Sequence, residues 1–197
     1  MIKKLYKQLN KKTLIFLLGL LISGIITGSI LFVLLSKTDL NIVKEYMLNY
    51  FESLKTLKLN DYILPSLVGN VILIFSIWVL GISIIGLPVI IFIYFFKSFT
   101  LGFTIATFIS VFGFKGILIS LVFILFQIVL FSILLYLSSL ALSFSLKLIK
   151  TVLRRDNFDF KSSINAYFKV LLLSLIVITV YSLLDNYLLP IILKIMV

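Results

Sequence analysis

Residues 62–114 read YILPSLVGNVILIFSIWVLGISIIGLPVIIFIYFFKSFTLGFTIATFISVFGF, and Lys97 is the only charged side chain among them. About 20 apolar residues cross a hydrocarbon core of ~30 Å, so this block holds two crossings joined by a turn. Within a bilayer the backbone must satisfy its own hydrogen bonds, and the block lacks the polar/apolar alternation of a barrel strand. Both crossings are therefore helices. The strongest punctuation is Gly81, Gly86 and Pro88. Proline suits the first turn of a helix, so the turn is placed at 86–88, with helices over 62–85 and 88–113. A turn at Lys97 is the alternative, and would leave that charge at an interface.

Outward from this block, uncharged runs continue on both sides, over residues 13–36 and 116–146. The first gives a helix over 14–35. It follows Lys3, Lys4, Lys7, Lys11 and Lys12, as a signal peptide would, but exceeds the usual h-region and has no small-residue cleavage site, so it is read as a retained anchor. The second gives a helix over 116–146, too long for one perpendicular crossing. A fifth helix is expected over 166–189, with Lys169 at its start and Pro190 near its end. Hydrophobic residues make up 62% of the chain and charged ones 13%, against the ~45–50% and ~25% of a soluble domain. The fold class is an all-α polytopic membrane protein with about five transmembrane helices in a single integral membrane domain.

Between the first two spans, residues 36–61 are too charged for lipid, and their charges balance. Leu40, Val43, Met47, Phe51 and Leu54 recur at helical spacing, which gives a short amphipathic helix with one apolar face. With no soluble core to bury it, that face must cover a protein partner, the outer leaflet or the chain's own helix ends, and the balanced charge, which gives no attraction to anionic lipid, favours a protein partner. The basic amino terminus and the loop at 147–161, with Lys147, Lys150, Arg154, Arg155 and Lys161, lie four crossings apart. The excess of lysine and arginine near membrane spans puts both in the cytoplasm and residues 36–61 outside. The same reading accounts for the net charge of +11 without nucleic acid.

The chain has no Cys and no His, which removes thiol nucleophiles, Cys/His metal sites and imidazole bases. No phosphate loop or paired intramembrane carboxylates appear, so no catalytic, cofactor or metal residues are assigned and an enzyme is not expected. The intramembrane polar candidates are Lys97, Gln127 and Asp185. A lysine at mid-bilayer is costly and so a functional candidate, and Gln127 falls at similar depth. Asp185, beside Asn186, is expected near the outer surface in an interface or capping role. Gly24 and Gly28 form a Gly-x-x-x-Gly pair that serves either packing within the chain or a homo-oligomer, and Ser139 and Ser143 form a weaker ridge of the same kind.

The run WVLGISIIGLP at 78–88, with Gly102-Phe103-Thr104 and the stretch ALSFS at 141–145, resembles the stage II sporulation protein M family. The likeness covers nearly the whole chain. It departs from the family pattern at Phe126-Gln127, where a Pro-Gln pair is expected, and at Ser98, where Gly is usual. The resemblance implies a non-enzymatic scaffold in the mother-cell engulfing membrane of an endospore former. It would localise the peptidoglycan-degrading stage II sporulation proteins D and P during forespore engulfment. The alternative is a small-solute or ion transporter or channel, with Lys97 and Gln127 along its path.

Overall fold

The computed structural model describes residues 11–56, 60–154 and 160–196. These form six helices and no strand: α1 Lys11–Val33, α2 Lys37–Thr56, α3 Asn60–Gly81, α4 Gly86–Phe112, α5 Phe114–Arg154 and α6 Phe160–Met196. All but α2 are long and apolar enough to cross a membrane. The surface gives the same answer from the other side. Ile22, Ile26, Phe92, Leu125 and Ile176 are each more than half exposed, an outer face that lipid covers and water would not tolerate.

α2 starts where its sequence says it should. The Ser36 hydroxyl accepts the Asp39 amide at 3.2 Å and donates to the Asp39 carboxylate at 2.6 Å, a cap that satisfies one of the orphan donors of a helix start. The α3–α4 turn falls at residues 82–85, earlier than the 86–88 placement, and α4 runs unbroken through Lys97, so no turn forms there. Ile85 is the N-cap, which puts Pro88 in the first turn, where its missing N–H has no intrahelical partner to lose. Gly86 restarts the helix because a Cβ there would fall on the Leu80 carbonyl.

The α4–α5 connection is a single residue, Gly113, at φ 56°, a left-handed conformation that glycine adopts without penalty. α5 continues through Lys147, Lys150 and Arg154 instead of ending at 146, since Leu148 and Ile149 carry the apolar pattern onward. The rest of the expected 147–161 loop includes 155–159, outside the described residues. α6 likewise passes through Pro190 to Met196. At ~1.5 Å per residue both helices exceed a ~30 Å core and project beyond it.

α1 packs mainly on α4, α3 on α6, and α5 runs between these pairs. The main core joins Leu17, Ile74, Ile77, Ile90, Tyr94, Leu130, Leu134, Leu137 and Ile178. A second, smaller core lies at the α2 end of the bundle and contains Phe51, Phe108, Ile119, Leu189 and Leu193.

Candidate functional site

The rotation of α4 about its axis decides where Lys97 points, and small residues set that rotation. A Cβ at Gly24 would lie 2.6 Å from the Ser98 Cβ and 3.0 Å from the Phe95 carbonyl oxygen, and one at Gly28 would fall on the Phe99 carbonyl. From the other side, a Cβ at Gly102 would fall on the Ile25 carbonyl. The Ser29 hydroxyl donates to the Gly102 carbonyl at 3.1 Å. The two backbones thus touch along this seam, as small residues allow in membranes. Gly24 and Gly28 face α4 within the same chain, and this seam is the packing alternative, not a surface for a second copy.

With Ser98 and Gly102 turned to α1, Lys97, Thr100 and Thr104 turn to α5. They line a cavity of about 200 Å³ with Leu101, Phe123 and Gln127. Lys97 and Gln127 therefore share one space. Thr100 and Thr104 donate their hydroxyl hydrogens to the carbonyls of Lys97 and Thr100, both at 2.8 Å. Neither the Lys97 ammonium nor the Gln127 amide makes a hydrogen bond among the described residues.

Asp185 does not sit at the outer surface as an interface or cap group. Its Oδ1 is buried, and the buried hydroxyl of Tyr181, one turn earlier, faces the same carboxylate without ideal hydrogen-bond geometry. The reason is helical register: Ile178, Tyr181, Ser182 and Leu189 are buried on α6, and Asp185 shares that inward face. Lys97 and Asp185 interact electrostatically across the gap between α4 and α6. Nearby, Asn70 donates from Nδ2 to the Ser182 hydroxyl at 2.9 Å, and Asn186 donates to the Ser182 carbonyl at 2.6 Å.

α2 lies across the α2 end of that gap. Phe51 is 4% exposed and stacks edge-on against Phe108 and Phe112 of α4, with ring centroids 6.0 and 4.8 Å apart. It shares its small core with Leu189 and Leu193 of α6. Met47 packs against the same core. Leu40 and Val43 are half-buried, and the side chain of Leu54 lies outside the described residues. The apolar face of α2 is thus directed mainly onto the chain's own helix ends. Ile42 and Tyr46 on one flank of α2 and Leu48 on the other are exposed and were not among the candidates, and Ile42 and Tyr46 also border an apolar recess against Phe103 and Thr107 of α4.

At the opposite end of the bundle the two motif blocks meet. Trp78 stacks on Tyr167 at 5.6 Å, and Tyr167 on Phe144 at 5.0 Å. The indole N–H donates to the Tyr167 carbonyl at 3.3 Å, and the Tyr167 hydroxyl donates to the Trp78 carbonyl at 3.1 Å. A Cβ at Gly81 would collide with that hydroxyl and with Ala141. The Ser145 hydroxyl donates to the Ser83 carbonyl in the turn, at 2.9 Å. Sequence reasoning passed over Tyr167, which belongs to neither block. It also passed over Thr100 and Thr104, although one and two turns from Lys97 on the same face they were open to it, and over Tyr181, one turn from Asp185.

The family described as Stage II sporulation protein M matches residues 12–188, which include the cavity, the seam and all six helices except the outer ends of α1 and α6. The chain belongs to that family, and is a sporulation-related, multi-pass membrane protein. No curated protein and no solved structure matched it.

Proposed function

We propose that this member of the stage II sporulation protein M family is a non-enzymatic scaffold in the mother-cell engulfing membrane. It holds the peptidoglycan-degrading stage II sporulation proteins D and P in place during forespore engulfment. The observation that carries the reading is the family match across residues 12–188. The sidedness follows from the basic residues: with the lysine-rich amino terminus in the cytoplasm, α2 and the α4–α5 turn face outward, where peptidoglycan is.

The geometry favours a scaffold over a conduit. Beyond the Lys97 cavity the interior continues as the apolar core of Tyr94, Leu130, Phe131 and Leu134, so no polar path runs on to the far end among the described residues. On the outside, α2 is a helix held against the bundle by Phe51, and it displays Ile42, Tyr46 and Leu48. Tyr46, exposed with Ile42 one turn before it at the edge of a recess, is the kind of aromatic anchor that protein interfaces use. The partner-contact role proposed for the apolar face thus moves to this flank of α2.

The test is a strain carrying Ile42→Asp and Tyr46→Asp together, with fluorescent fusions to proteins D and P. Normal accumulation of the variant with dispersed partners and arrested engulfment is the expected result. Engulfment that finishes on time in a strain lacking the whole gene would overturn the scaffold reading itself.

A further inference from the structure

Helices α4 and α6 hardly touch, and beside the gap between them a cavity lies between α4 and α5. What projects into that space has a definite hydrogen-bonding character. Thr100 and Thr104 turn their hydroxyl hydrogens away, onto backbone carbonyls. The three N–H groups of Lys97 and the two of Gln127 remain, with no acceptor among the described residues. Leu101 and Phe123 complete the walls. The cavity therefore offers one fixed positive charge with an amide N–H pair, the threonine and Gln127 oxygens as neutral acceptors, and apolar surface beside them. Its volume of about 200 Å³ admits several waters or one small organic molecule, not a lipid headgroup with its chains.

We propose that this cavity binds a small carboxylate. One carboxylate oxygen takes the Lys97 ammonium and the other the Gln127 amide, while the carbon body lies against Leu101 and Phe123. Charge-assisted bonds of this kind are the strong ones, and a half-buried ammonium without a direct partner gains most from them. Asp185 fits this site as its internal counter-charge. It interacts with Lys97 across the gap without reaching ion-pair distance, so the empty site is balanced and an incoming anion competes with it.

The route in lies under α2. A second, apolar recess of about 340 Å³ is lined by Ile42, Val43, Tyr46, Met47, Phe103, Thr104 and Thr107. Thr104 lines both spaces, which makes it the residue at which a ligand would pass from the recess to the cavity. The proposal stands apart from the scaffold reading, which needs neither a ligand nor Lys97.

The native chain has no cysteine, which permits a direct test. Thr104→Cys is made in the full chain, purified into nanodiscs so that both faces meet solvent, with Ile42→Cys as the reference at the mouth. Each is reacted with an anionic sulfonatoethyl methanethiosulfonate and with a cationic trimethylammonioethyl methanethiosulfonate. The ratio of the two rates removes any effect of thiol acidity. Relative to Ile42→Cys, the anionic reagent is expected to be favoured about tenfold at Thr104→Cys, the scale of one nearby fixed charge. Adding Lys97→Gln should abolish the preference, and adding Asp185→Asn should increase it. Propionate should protect Thr104→Cys, and chloride at the same ionic strength should not. An unreactive Thr104→Cys beside a reactive Ile42→Cys, a ratio indifferent to Lys97→Gln, or equal protection by chloride would each overturn the proposal. If Thr104→Cys does not survive purification, Thr100→Cys lines the same cavity and reads the same ratios.

Discussion

The two ends of the bundle differ in what they leave unpaired. Around Trp78 and Tyr167 the backbone groups at the end of α3 are matched, while the neutral hydroxyls of Ser138, Ser139 and Ser143 on α5 are buried without partners. α3 ends at the buried Gly81, and its last carbonyls need donors. Tyr167 supplies one to Trp78, Ile82 reaches Val79 at 3.1 Å, and Ser83 reaches Leu80 at 3.0 Å. Around Lys97 and Asp185 the polar atoms are left open. The ammonium and the Gln127 amide lack direct partners among the described residues, and the Asp185 carboxylate has only the Tyr181 hydroxyl beside it. An unpaired charge within a membrane is far costlier than an unpaired hydroxyl, so it is this end that marks a place kept for water or a ligand. The contrast assigns stability to one end and a binding capacity to the other, and each can be tested by substitution.

The largest effect should come from Trp78→Ala. The indole touches Phe75, Tyr167 and Phe168, with centroids 5.6 to 6.2 Å apart, so its loss leaves a void that the stacked column cannot close. Truncating an aromatic of this kind costs about 3–5 kcal/mol. Reversible unfolding in mixed detergent micelles would measure it. A loss below about 1 kcal/mol would mean that the column is decoration and that the contrast between the two ends is false.

Tyr167→Phe sharpens the same point with a smaller change. The ring stays on Trp78 and Phe144, and only the bond to the Trp78 carbonyl disappears. Hydrogen bonds between membrane helices average roughly 0.6 kcal/mol and reach about 1.7. Because the orphaned carbonyl lies under the stacked Tyr167 ring and one turn before the buried Gly81, the upper part of that range is expected. Full stability in Tyr167→Phe would show that solvent reaches this end.

The spans were legible in the sequence because the bilayer imposes a length and a composition that local reading detects. Pro88 marked a turn to within a few residues because its backbone chemistry is local too, whereas Gly113, within the expected 88–113 helix, was not singled out. Lys97 and Gln127 were legible as a pair because both are polar and their depths agree. What the residues alone did not show is where faces meet. Phe51 reads as part of an unpartnered apolar stripe, yet it sits on Phe108 and Phe112, more than 50 positions away along the chain. Asp185 reads as a surface carboxylate from its distance to Pro190, but α6 continues through that proline and turns the carboxylate inward. Tyr167 carries no motif at all, and only the packing of α6 on α3 reveals its work.

The smallest effect is expected at the open end, and it is the most informative. Lys97→Met leaves the Asp185 carboxylate in the gap without its counter-charge, and Asp185→Asn leaves the ammonium in the same position. Each single change should therefore destabilise the fold slightly. The double variant removes both charges together with the burden of holding them in the membrane, so it should be more stable than the two single losses predict. The charges interact across a gap and not as a contact pair, which sets the coupling on the order of 1 kcal/mol or less. A four-way unfolding cycle of wild type, both singles and the double measures it directly. Strict additivity would mean that Lys97 and Asp185 act alone, and the open end would then be two separate polar sites. A coupling of the expected sign, with stability otherwise near wild type, leaves the charges contributing little to folding, and a role in binding then accounts for their presence in the membrane.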